Sequence, residues 1–181
     1  MQFVIACIMI SSTLIIYSQF KFLQNADLGV NKEYVIVIPF HKPEKGLSNI
    51  EKLRSRLSSN PAIISLTGSS VNIGLGKDGI TTKMTNRFGY KDRQINTNLA
   101  YIDYDYLKTF DIKPIEGKDI DLSYAADSLP HVLLTESVAK QFNEKQIAGQ
   151  KIVVDSGFPA WNIVGVIPDF HMYSMRESQP I

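Results

Sequence analysis

Cysteine is nearly absent: Cys7 is the only one in 181 residues. It lies inside an apolar run, so the remaining chain has no disulfide and no thiol chemistry, while an oxidising compartment stays permitted. Tryptophan is also single, Trp161, and histidine numbers three, His41, His131 and His171. Scattered histidines with no i, i+4 pair and no cysteine partner make a poor ligand set, although Asp169-Phe170-His171 with His41 or His131 is the metal combination to test. An excess of charge of one sign is missing too. The net charge is +1, which argues against a nucleic-acid binder, since such binding depends on a basic face. There is no repeat at a fixed period and no low-complexity tract.

No charged side chain stands before Lys21, and residues 3–17 are almost unbroken in Val, Ile, Leu, Met, Ala, Cys and Phe. At about 1.5 Å per residue, roughly 20 apolar residues cross a hydrocarbon core about 30 Å thick, and residues 1–20 meet that length. Ser11, Ser12 and Thr13 are tolerable at membrane depth because their hydroxyls can bond carbonyls of the preceding turn. Tyr17 and Lys21 fall where an aromatic belt and a snorkelling amine mark the interface. A cleaved leader would need a basic start, and Ser18-Gln19-Phe20 is a poor cleavage site. Val4-Ile5-Ala6-Cys7 looks like a lipoprotein box, but a long apolar run follows the cysteine. A buried core helix would show a polar face, and residues 11–13 are too short a cluster to make one. The reading is a membrane helix.

Removing it leaves about 155 residues, enough for one domain or two small lobes with real cores. The apolar helix is expected to continue as a stalk through Leu28, with Gly29 as its stop. Residues 34–39 read as a strand apolar on both faces, so central, and ended by Pro39. Ser48-Asn49-Ile50-Glu51 reads as a capping box with Ser48 as N-cap; Ile50, Leu53 and Leu57 then share one helix face ahead of Asn60-Pro61. Residues 62–67 read as the next strand, completing a βαβ unit.

From Gly74 the character changes. Residues 81–85 and 94–101 read as exposed antiparallel strands about a turn at 89–92. Asp103 is positioned to cap a short helix carrying Tyr106, Leu107 and Phe110. Residues 112–117 read as a turn-bounded edge and 131–134 as a strand. Thr135 then caps a helix over 136–142, Gly149 ends the next loop, and 151–154 pairs with 161–166 as a hairpin. The fold class is α+β.

Few motifs carry chemistry. Gly74-Leu75-Gly76-Lys77-Asp78-Gly79 matches G-x-G-x-x-G after a strand. The dinucleotide reading needs a helix next, and Ile80-Thr81-Thr82-Lys83 is β-branched; the reading is a turn between lobes. Ile80 stands where a Walker lysine belongs. Neither Ser128 nor Ser174 sits in a nucleophile elbow. Trp161 opens a strand as a core plug, with a ligand platform as the alternative. No paired carboxylates form a catalytic constellation, so no catalytic, cofactor or metal residue is assigned.

Several segments together resemble the FtsX-like permease subunits of ABC transporters and their MacB-type periplasmic core domain. They are Leu28-Gly29-Val30-Asn31-Lys32, Leu57 through Pro61-Ala62-Ile63, Asp105-Tyr106-Leu107-Lys108-Thr109-Phe110 with Glu116-Gly117-Lys118, Val132-Leu133-Leu134-Thr135-Glu136, and Ile147-Ala148-Gly149-Gln150. The most specific is Ile163-Val164-Gly165-Val166-Ile167-Pro168-Asp169-Phe170-His171, with Pro180 beyond, and the pattern looks most like Bacteroidetes permeases. The resemblance implies a membrane helix and stalk over 1–28, a βαβ porter-like lobe over 31–73 and an inserted, mostly β lobe over 74–170. Residues 171–181 would start the return to the porter-like lobe, so the chain reads as a truncated permease. Gly149 and Gly165 become turn or close-packing positions, and Phe110 and Val164 core.

The same resemblance implies a non-enzymatic part with no cofactor. It would sit in the inner membrane, against lipid, with its soluble domain in the periplasm. An ABC ATPase would join it through the complete permease, and a permease homodimer is implied; the substrate is unassigned. The alternative is a membrane-anchored binding or sensory domain with no ATPase. A third reading is a tethered hydrolase using Asp169 and His171.

Overall fold

In a computed structural model the described residues are 2–25, 28–31, 33–40, 46–71, 84–91, 93–121, 123–124, 129–153 and 159–170. The apolar run forms helix α1 (Gln2–Asn25), in which no residue is buried. Its 24 residues span about 36 Å, long and apolar enough to cross a bilayer. Thr13 Oγ1 donates to the Met9 carbonyl at 2.8 Å, the expected bond back to the preceding turn. The stalk is shorter than expected, since Leu28 is not helical. Gly29 has a φ of +75°, the left-handed conformation expected of a stop.

Helix α2 (Gly46–Leu57) carries Ile50, Leu53 and Leu57 half-buried on one face, as its spacing predicts. It begins two residues before Ser48, so Ser48 lies inside its first turn and is not the N-cap. Neither flanking strand forms. Residues 35–40 and 63–68 run without a ladder; Tyr34 is 100% and Ile36 86% exposed. An apolar run favours a strand only where a partner supplies hydrogen bonds, and none of the described strands does. The second segment instead lies against the loop after β2 through a bridge between Ser69 and Ile102. Gly68 lets Ile50 approach, since a Cβ there would stand 2.3 Å from its Cδ1.

Strands β1 (Met84–Tyr90) and β2 (Arg93–Leu99) form the expected antiparallel hairpin, with Phe88 opposite Ile95 and Tyr90 opposite Arg93. It is not exposed on both faces: Phe88, Tyr90 and Ile95 are buried, while Thr85, Arg87 and Asn96 face out. After α3 (Tyr106–Thr109), the short edge β3 (Glu116–Gly117) pairs antiparallel with β6 (Trp161–Ile167). On the other side of β6, β4 (His131–Thr135) runs parallel. Helix α4 (Glu136–Phe142) follows β4, and β5 (Lys151–Ile152) makes the expected hairpin with β6. The parallel βαβ connection of this chain is therefore β4–α4–β6 rather than the one read at residues 34–67.

Two apolar clusters flank this sheet. One joins the hairpin to α4 through Phe88, Tyr90, Leu134, Val138, Phe142 and Ile163. The other gathers Val71, Tyr106, Leu107, Phe110, Ile167 and Phe170. Alternation explains the split, because Leu134 and Leu133 on β4 point to opposite faces. Phe110 and Val164 are buried, as core positions should be.

Candidate functional site

The chain leaving α1 is anchored in the second cluster. Val30 and Val35 pack against it, and the Asn31 N–H donates to the Phe110 carbonyl at 2.9 Å. Gly29 lies so close to the end of β6 that an added Cβ would stand 3.0 Å from the Asp169 carbonyl and 3.1 Å from Phe170 Cβ. Thus residues 29–31, α3 and the segment after β6 meet at one place.

Asp169 completes the junction. Its Oδ1 accepts the Ser137 N–H at 2.9 Å and its Oδ2 accepts the Ser137 hydroxyl. It thereby satisfies an orphan donor in the first turn of α4 from 32 residues away. Thr135, read as the cap of that helix, occupies the N-cap position but makes no side-chain cap bond. Asp103, read as the cap of α3, does not cap it either. It binds Arg54 at 3.0 Å, and Asp105, with a left-handed φ of 61°, takes the N-cap position. Replacing Asp169 with Ala should destabilise the domain by roughly 1–2 kcal/mol, the cost of a lost helix cap. Urea denaturation of Asp169→Ala beside Asp169→Asn checks it; two wild-type midpoints would show the carboxylate to be idle.

Glu116 is a second tie that local patterns miss: its Oε1 accepts the N–H groups of Ile147 and Ala148 at 2.9 and 2.8 Å, fastening β3 to the loop after α4. Away from the junction, Lys91 lies 2.6 Å from Glu144 and holds that carboxyl below the usual range by hydrogen bonding. Lys91 is largely exposed, so the pair adds little stability. Burial pushes the Tyr106 phenol well above the usual tyrosine range.

A cavity of about 200 Å³ lies between residues 97–102, β4 and the end of β6. Its walls include Phe88, Leu134, Val138, Trp161, Ile167 and Phe170. Trp161 both packs on the first cluster and lines this space, so it is plug and wall together. Phe170 is shared between cavity and junction.

Of the other sequence candidates, only His131 lies among the described residues. His131 lies in β4 with its ring 4.4 Å from that of Tyr124. His41, His171, Ser128, Ser174 and the glycine-rich loop over 74–79 lie outside the described residues. Among the described residues no three of His, Cys, Asp and Glu come together as metal ligands.

The chain is similar to known proteins over most of its length. The family model described as MacB-like periplasmic core domain matches residues 3–178. Among solved structures, the periplasmic region of MacB from Actinobacillus actinomycetemcomitans is similar with a TM-score of 0.50 at 15% identity, covering 75% of this chain and 61% of that one. A domain of a protein described as a permease, from Porphyromonas gingivalis, has a TM-score of 0.46 at 18% identity, covering 70% of this chain and 48% of that one. The chain spans less than two thirds of either structure. No curated protein matches it.

Proposed function

Because the chain belongs to the MacB-like periplasmic core domain family, found in ABC transporter permeases, we propose that it is the mechanical, non-enzymatic part of such a permease. A partner ATPase hydrolyses ATP in the cytoplasm, and α1 carries the motion across the inner membrane to the lobes outside. Substrate export or mechanotransmission is the output. The observation that carries this reading is the junction: an apolar helix with no buried residue, whose exit chain is fixed through Gly29, Val30 and Asn31 to the core. An exposed apolar surface of that size needs lipid around it. On this reading residues 31–73 are the porter-like lobe and 74–170 the inserted lobe, and two permeases act as a homodimer.

Coupling requires a rigid element between membrane and lobes. A proline inserted after Lys21, inside α1 and a turn before its end at Asn25, removes a helix hydrogen bond and costs about 3 kcal/mol locally. In a complete permease carrying the ATPase, that insertion should abolish ATP-dependent transport while the lobes keep wild-type denaturation. Unchanged transport would sink the mechanical reading. Co-purification of an ATPase separates it from an anchored sensor. Carbonate extraction, followed by protease treatment of a C-terminal tag in spheroplasts, tests the topology.

A further inference from the structure

Helix α4 has two acceptors for one donor. Thr135 occupies its N-cap position with φ −75° and ψ 157°. From that extended backbone a threonine hydroxyl accepts the N–H of the second or third helical residue, and Ser137 is the second. The Ser137 N–H is donated instead to Asp169 Oδ1 at 2.9 Å. Thr135, only 4% exposed, is left with its Oγ1 unpaired. A hydroxyl closed off from water and without a partner burdens the arrangement that holds it. Thr135 pairs with Ile167 in the ladder, two residues before Asp169, so both acceptors stand at the same end of α4. We propose that the cap of α4 is a two-state switch, in which the Ser137 N–H passes from Asp169 to Thr135 and the segment after β6 is released.

The exchange is nearly balanced. Asp169 gives up its bonds to the Ser137 N–H and hydroxyl. In return Thr135 gains the first of these, its buried oxygen is satisfied, and the freed carboxylate regains water. Thr135 needs only to turn about χ1, because its backbone is already that of an N-cap. Two arrangements of similar free energy are what a switch requires. Asp169 is also where the chain leaving α1 rests. An added Cβ on Gly29 would stand 3.0 Å from its carbonyl, and Phe170 beside it belongs to the cluster that seats Val30. Release of Asp169 therefore loosens that seat while α4 stays capped. The switch is a property of the fold, independent of whether an ATPase drives the chain.

The full chain in lipid nanodiscs is followed by urea denaturation, read from Trp161 emission, and by NMR relaxation dispersion at the Ser137 amide. Thr135→Val deletes the second acceptor and no bond of the present arrangement, so it should not lower the folding constant. Asp169→Ala should lower that constant about ten-fold in the wild-type chain, where Thr135 takes over the N–H. In Thr135→Val, where nothing replaces the lost cap, the same change should lower it about a hundred-fold. Microsecond-to-millisecond exchange at Ser137 should be present in the wild type and absent from Thr135→Val. Equal losses from Asp169→Ala in the two backgrounds would overturn the proposal, because Thr135 would then never cap. So would exchange at Ser137 that is missing from the wild type or that persists in Thr135→Val. The dispersion comparison uses only folded protein and decides the matter if the double variant does not fold.

Discussion

Gly117→Ala should lower the stability of the domain by roughly 3–5 kcal/mol, combining left-handed backbone strain with overpacking. Gly117 has a φ of +73°, and a Cβ there would stand 2.1 Å from the Val164 carbonyl oxygen and 2.7 Å from the Cα of Gly165. Both contacts are to backbone atoms of the central strand, so no side chain can swing aside to relieve them. Gly117 faces Gly165 in the register, and a Cβ on Gly165 would in turn lie 2.8 Å from the carbonyl oxygens of Glu116 and Lys118. Gly149 is the internal control, with a φ of +88° but nothing within 4 Å of an added Cβ. Gly149→Ala should therefore lose only the backbone part, about 1–2 kcal/mol. Urea denaturation followed by Trp161 emission measures both variants. Equal losses would mean that β3 does not press on β6 as described.

Phe142→Ala comes next in size, with an expected loss of roughly 3–5 kcal/mol. The side chain is 0% exposed and lies edge-on to Tyr90, with ring centroids 4.8 Å apart. It joins the last turn of α4 to the hairpin, so truncation leaves a cavity where three elements meet. Tyr90 is held from its other end, because its hydroxyl bonds Gln150 and Glu144. The lining therefore has little freedom to collapse into the space, and the loss should fall in the upper part of the range. Phe142→Leu keeps most of the volume and should lose less than half as much. A Phe142→Ala midpoint within 1 kcal/mol of wild type, as an order-of-magnitude bound, would show that hairpin and α4 do not share a core.

How much of the fold is legible in the sequence depends on how far apart the partners lie. The apolar helix, the hairpin about Lys91, the step from His131 through Thr135 into α4 and the pairing of 151–152 with 161–162 all rest on neighbours in sequence. Periodicity and turn chemistry suffice for those. The βαβ unit expected at 34–67 does not form, because a β-branched apolar run specifies only a willingness to pair. The capping assignments fail for a related reason. Ser48 and Asp103 fit local rules, but the helix beside Ser48 starts at Gly46 and the carboxylate of Asp103 is claimed by Arg54, 49 residues away. Asp169 invites a hydrolytic or metal reading because it neighbours a histidine. Its bond to Ser137 crosses the fold, and no spacing rule announces it. The cavity is foreshadowed only by Trp161 as a ligand platform.

The exposed run over 34–40 has a consequence for how the chain behaves at high concentration. Val35, Ile36, Val37 and Ile38 are uncharged, three of them exposed, and such a window can template strand addition between molecules. Pro39 limits how far an intermolecular ladder can grow, in the manner of a gatekeeper. The chain's tolerance of concentration is thus set by a few residues that contribute little to its folded core, and charge placed at Ile36 would extend that tolerance without touching either cluster.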